Sequence, residues 1–94
     1  MKVDKQRRLT IPHYFVESSN MKAGRYYLCD YNGKIYITQE VTEEDKILVA
    51  VMMDSKNRIV IPKYLKCYVD TAKEITVYEQ KAKVWIENYE KVAE

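Results

Sequence analysis

Two arginines, Arg8 and Arg58, each stand four residues after an aspartate, Asp4 or Asp54, and three before the isoleucine of an Ile-Pro pair. A guanidinium at the start of a strand is a planar fork on a stiff support. It suits bidentate binding to a phosphate or to guanine O6 and N7. Lys5, Arg7 and Lys56 fall in the turns ahead of these arginines, and Lys66 follows the second motif. Arg8 and Arg58 are therefore candidate binding residues, with these four cations beside them. The aspartates would repel phosphate, and their expected task is to accept backbone N–H groups within each turn. An Asp–Arg bridge that merely fastens the turn is the competing reading of the arginines.

These windows are copies. Val3 to Pro12 recurs without a gap as Met53 to Pro62, and Tyr14 matches Tyr64 beyond it. A repeat of this kind marks two copies of one small unit. The net charge of +2 hides an uneven distribution: residues 1–16 and 53–66 each carry +3, whereas 17–52 and 67–94 each carry −2. Side by side, the copies would form one basic face on a mildly acidic body, the footprint of a polyanion-binding surface.

Positioning that face requires a mostly β domain with short helices, spanning 1–94 and built from two units that share a core. Halves of this size bury too little apolar surface to fold alone. The first unit is 1–40, the connector 41–45, the second unit 46–88 and the tail 89–94. In each unit a strand (Arg8 to Ile11, Arg58 to Ile61) ends at Ile-Pro, because proline cannot continue a ladder and presets the first turn of a helix. Short helices are expected at His13 to Glu17 and Lys63 to Tyr68. Hairpins follow, Arg25 to Thr38 and Glu74 to Ile86. Asn32-Gly33 is a strong two-residue turn signal, and the second hairpin turns at Gln80 to Ala82 without glycine. The hairpins align at a spacing of forty-nine, so one residue is lost in the preceding loop. Lys46 to Met53 reads as a strand buried on both faces. Its counterpart ahead of the first motif is represented only by Met1 and Lys2. Trp85, Tyr27, Tyr36 and Tyr78 alternate with apolar residues and read as core and cross-strand pairs.

Cys29 and Cys67 lack metal or redox spacing and read as free thiols, and His13 is the single histidine. No cofactor, metal site, small-molecule substrate or catalytic constellation is expected. The longest apolar run, Ile47 to Met53, is too short to cross a bilayer, and no secretory leader is seen, so a cytoplasmic protein is expected.

The pattern Asp4…Arg8-Leu9…Ile11-Pro12, repeated as Asp54…Arg58-Ile59…Ile61-Pro62, resembles that of the AbrB/SpoVT family of bacterial transcription regulators, with its MraZ and MazE-type relatives. The resemblance runs from Val3 to about Ile86. It implies a swapped-hairpin β-barrel completed within one chain, as in MraZ. It further implies a transcription regulator that binds double-stranded DNA through Arg8 and Arg58, helped by Lys5, Arg7 and Lys56 in the turns and by Lys66 at a basic helix position of some members, with homo-oligomers possible. An antitoxin-like interaction module using the tail is the alternative. The family's glycine before the arginine is replaced by Arg7 and Asn57. Asparagine accepts a left-handed conformation readily, whereas arginine does so at a cost of roughly 1 kcal/mol, or the first turn takes another course.

Overall fold

A computed structural model describes residues 3–88; Met1, Lys2 and the tail at 89–94 lie outside the described residues. Seven strands dominate: β1 (Arg8–Thr10), β2 (Gly24–Tyr31), β3 (Lys34–Thr38), β4 (Lys46–Met53), β5 (Arg58–Val60), β6 (Ile75–Gln80) and β7 (Lys83–Asn88). Among the described residues the one α-helix, α1 (His13–Ser18), has six residues. At the matching place in the second unit the expected helix is only a 3-10 turn, Lys63–Leu65. Neither start carries a side-chain cap, and such short segments gain little from helix propagation.

The two units are interleaved. Antiparallel pairing of β1 with β5 joins the motif strands of different units, with Arg8 opposite Val60, Leu9 opposite Ile59 and Thr10 opposite Arg58. The second sheet has the order β4-β2-β3-β7-β6, so the hairpins meet at its centre and β4 of the second unit lies on β2 of the first. Among the described residues no closed barrel is formed. Among the described residues the strands sort into two sheets, with β4 and β6 as the outer strands of the larger one.

The main core is shared between the sheets. Leu9, Ile11, Ile59 and Ile61 from the β1–β5 ribbon pack with Tyr26, Leu28, Ile35, Ile37, Val84 and Ile86 from the larger sheet. On that sheet's other face a cross-strand row runs Cys29–Tyr36–Trp85–Tyr78 through β2, β3, β7 and β6. The ring centroids of Tyr36 and Trp85 lie 5.1 Å apart, and Lys83 Nζ sits 4.4 Å from the centroid of Tyr36. Tyr36 Oη donates to the carboxylate of Asp45, which ties the connector to this second cluster. Burial and that hydrogen bond push the Tyr36 hydroxyl well above the usual phenol range. Sequence alternation thus placed the aromatic residues correctly.

β4 departs from expectation. It is an outer strand with Ile47 47 % and Met52 64 % exposed, where burial on both faces was expected. Its register on β2 shifts between Leu28, opposite Val49, and Cys29, opposite Ile47, leaving Leu48 as an extra residue. Leu48 and Val49 consequently both pack against the main core. Such a bulge offsets the alternation on either side of it. Among the described residues no helix is long and apolar enough to cross a membrane.

Both hairpins turn through two residues with positive φ: Asn32 and Gly33 at 51° and 86°, Lys81 and Ala82 at 53° and 60°. The right-handed twist of paired strands favours this turn, but lysine and alanine adopt it at a cost of roughly 1 kcal/mol each. Replacing Lys81 with Asn and Ala82 with Gly is expected to stabilise the domain by about 1–2 kcal/mol, raising Tm by roughly 4–8 °C per kcal/mol. Thermal unfolding followed by circular dichroism tests this, and an unchanged or lowered Tm refutes it.

Candidate nucleic-acid interface

Alternation along the β1–β5 ribbon fixes the direction of its side chains. Leu9 and Ile59 point into the core and are sealed there. Arg8, Thr10, Arg58 and Val60 therefore share the opposite, outer face. Arg8 and Arg58 sit at diagonal corners of this short ribbon, with Cα atoms about 8 Å apart by strand geometry. The sequence placed both arginines at strand starts, and the pairing brings them onto one surface.

Each arginine is held by its aspartate in the same way. Arg8 Nε donates to Asp4 Oδ2 at 2.6 Å, and Arg58 Nε to Asp54 Oδ2 at 2.8 Å. The other carboxylate oxygen caps the turn: Asp4 Oδ1 accepts the N–H groups of Gln6 and Arg8, both at 2.9 Å. Asp54 Oδ1 accepts those of Lys56 at 2.9 Å and Arg58 at 3.0 Å. The backbone N–H of each arginine foremost, then its side chain and the second turn N–H, hold both carboxyls below the usual carboxylate range. Only Nε is used in the bridge. Among the described residues the terminal guanidinium nitrogens of Arg8 and Arg58 have no hydrogen-bond partner. The fastening role and an outward binding role are thus compatible in one side chain.

The two turns share one backbone course. Arg7 and Asn57 have φ values of 60° and 61°. Their carbonyls accept N–H bonds across the units, Ile61 to Arg7 at 2.9 Å and Ile11 to Asn57 at 2.8 Å. Arginine at position 7 therefore adopts the strained conformation in full, and the turn does not change to accommodate it.

Around this ribbon the basic residues are distributed unequally. Lys5 and Lys56 are exposed near the tips of the turns. Lys5 and Arg7 of the first unit meet Lys63 and Lys66 of the second across a concavity of about 430 Å³ that also includes Asp4 and Asp70. Arg7 Nε is buried there without a hydrogen-bond partner among the described residues. An anionic oxygen entering the concavity would meet several cations. At the matching place near Asn57 the counterparts of Lys63 and Lys66 are His13 and Val16, and His13 Nε2 pairs with Glu17 Oε1 at 2.8 Å. Lys63 was not among the residues singled out from sequence. Its charge was counted, but only the fold shows that it faces the other unit's turn.

Tyr14 and Tyr64 were likewise missed, although their identity in both copies was visible. They are 72 % and 68 % exposed, just beyond the Ile-Pro pairs, and so contribute little to the core. Among the described residues, no group of three or more His, Cys, Asp or Glu side chains is placed to hold a metal ion.

The lowered carboxyls give the turns a defined pH response. A depressed folded-state pKa contributes stability that is present above the ordinary value of 3.8 and is lost as pH falls through the folded value. Asp54→Asn, which cannot carry the charge, is therefore expected to melt below the wild type at neutral pH. The difference should shrink as pH drops below 3.8. Paired melting curves across that range decide it, and a Tm difference independent of pH excludes the assigned role.

Comparison of the chain with protein-family models, with curated proteins and with solved structures gives no match.

Proposed function

We propose that this chain is a DNA-binding transcription regulator of the AbrB type, which grips duplex DNA through the outer face of the β1–β5 ribbon. The observation that carries this reading is the pairing of Arg8 with Val60 and of Thr10 with Arg58, which puts both motif arginines on one outward face. A two-stranded ribbon is narrow enough to enter the major groove. Lys5 and Lys56 near the turn tips, with Arg7, Lys63 and Lys66 at the concavity, would contact phosphates and set its orientation. The interleaving of the units supports a swapped-hairpin relationship between them, here in an open two-sheet form. The unequal surroundings of the two turns favour half-sites of unequal strength, the stronger near Arg7, Lys63 and Lys66.

Binding of a mixed-sequence duplex of about 20 base pairs across a salt series tests the reading. Lys5→Ala with Lys56→Ala removes two exposed cations and is expected to leave Tm unchanged. It should flatten the slope of log affinity against log salt by roughly 1–2. Arg7→Asn copies the second turn, relieves strain and removes a cation, so Tm should hold or rise while affinity falls. Arg8→Ala with Arg58→Ala should weaken binding further. If these variants fold and retain wild-type affinity and salt slope, the ribbon is not the binding surface. Selection of bound duplexes from a random pool then gives the sequence preference, and a paired motif is expected.

A further inference from the structure

The β1–β5 ribbon repeats its bonds in both units, but its outer face is not the same twice. Four side chains stand there, and the register sets them in two cross-strand pairs, Arg8 with Val60 and Arg58 with Thr10. Directly opposed residues have Cβ atoms about 5 Å apart. Each arginine therefore has one fixed neighbour, and the two neighbours differ. Val60 is 48 % exposed, an apolar side chain set among the cations of this face. Thr10, its counterpart, is exposed as well, and among the described residues its hydroxyl makes no hydrogen bond. Strand propensity favours valine and threonine alike. It accounts for a β-branched residue at both places and not for the difference between them. The Ile61 N–H donates to the Arg7 carbonyl, so the Arg8–Val60 pair lies on the side of Arg7, Lys63 and Lys66.

We infer that the residue beside each arginine sets which base its half-site takes next to guanine: Val60 selects thymine, and Thr10 does not. This rests on the DNA-binding reading above and adds the order of bases to it. In the major groove thymine alone among the four bases presents a methyl group. Val60 offers only methyl groups, and packing them on that methyl takes apolar surface of both out of water. The terminal nitrogens of Arg8, left over by the Nε bridge to Asp4, donate end-on to guanine O6 and N7. A separation of about 5 Å lets the two side chains reach adjoining base pairs, stacked about 3.4 Å apart. Beside Arg58 the Thr10 hydroxyl both donates and accepts, so it meets any base edge. One half-site is then a guanine–thymine step bordered by Arg7, Lys63 and Lys66. The other is a guanine with an unrestricted neighbour.

The probe is a pool of random-sequence duplexes, from which the intact protein selects. The enriched duplex is then remade with 2′-deoxyuridine at each thymine in turn, since uracil keeps the hydrogen-bonding edge and lacks the methyl. One thymine, next to a guanine in one half-site, is expected to lose affinity about threefold to fivefold. With Val60→Ser the same replacement should have no effect. Thr10→Val keeps a β-branched residue at an exposed strand position, so the fold is retained. Selection with that variant should enrich thymine beside guanine in both half-sites. Wild-type binding with no enriched thymine beside guanine, or with indifference to uracil, overturns the role of Val60 and leaves DNA binding by the ribbon standing. So does uracil sensitivity that persists in Val60→Ser, or a Thr10→Val selection identical to that of the wild type. Absence of salt-dependent duplex binding by the wild type overturns both.

Discussion

The pairing of β1 with β5 is the constraint on which the remaining structure depends. Each strand has three residues, and among the described residues it pairs with the equivalent strand of the other unit alone. The ribbon is extended by the Ile11 and Ile61 amides, which reach the carbonyls of Asn57 and Arg7. Those carbonyls point the right way because residues 7 and 57 are left-handed. Turn, ribbon and core are consequently coupled: a turn that relaxed would lose a cross-unit hydrogen bond and shift Leu9, Ile11, Ile59 and Ile61, all at 1 % exposure or less. Surroundings that over-determine a residue in this manner can hold it in a sparsely populated conformation. This explains how arginine is tolerated at position 7, where glycine or asparagine would fit with less strain.

Duplication has left the units alike in the bonds that build the β1–β5 ribbon and different away from it. Ribbon contacts must be reciprocal, and both copies keep the Asp–Arg bridge, the left-handed residue and the Ile-Pro exit. Away from the ribbon, α1 corresponds to a mere 3-10 turn, Asn32-Gly33 corresponds to Lys81-Ala82, and β4 covers β2 with no matching strand on β6 among the described residues. The concavity with Arg7, Lys63 and Lys66 belongs to the same class, since it combines a residue peculiar to the first copy with two peculiar to the second.

Much of this was legible because the decisive interactions are local. An Asp that accepts N–H groups two and four residues on, a proline that ends a strand and an Asn-Gly hairpin are determined within a few positions. Alternation around Tyr36 and Trp85 placed them in a cross-strand row. What could not be read depends on contacts between distant segments. An apolar run has the same appearance whether it is covered on both faces or lies at a sheet edge, so Ile47 and Met52 were misplaced. The bulge at Leu48 then hid the alternation that would have separated inward from outward residues. Sheet closure depends on whether the outer strands find partners, which neither propensity nor periodicity expresses. Lys63 could not be selected because its neighbour Arg7 is fifty-six positions earlier.

The Asp–Arg bridges also bear on how an arginine that fastens its turn would serve the DNA contact we propose. An exposed salt bridge contributes little to stability by itself, and the carboxylate reduces the local positive charge that a phosphate would meet. Against this, anchoring Nε restricts a long, flexible side chain whose ordering on contact would otherwise oppose binding. It leaves the terminal nitrogens as the part able to donate outward. The carboxylate is itself fixed by two backbone N–H groups, so the fork is referenced to the turn and thence to the ribbon. Orientation is gained at the expense of attraction. Exposed Lys5 and Lys56, and the cluster around Arg7, are not subject to that trade and can supply the attraction. The division of labour follows from the bonding alone: positioned forks at the centre of the face, loose positive charge around it.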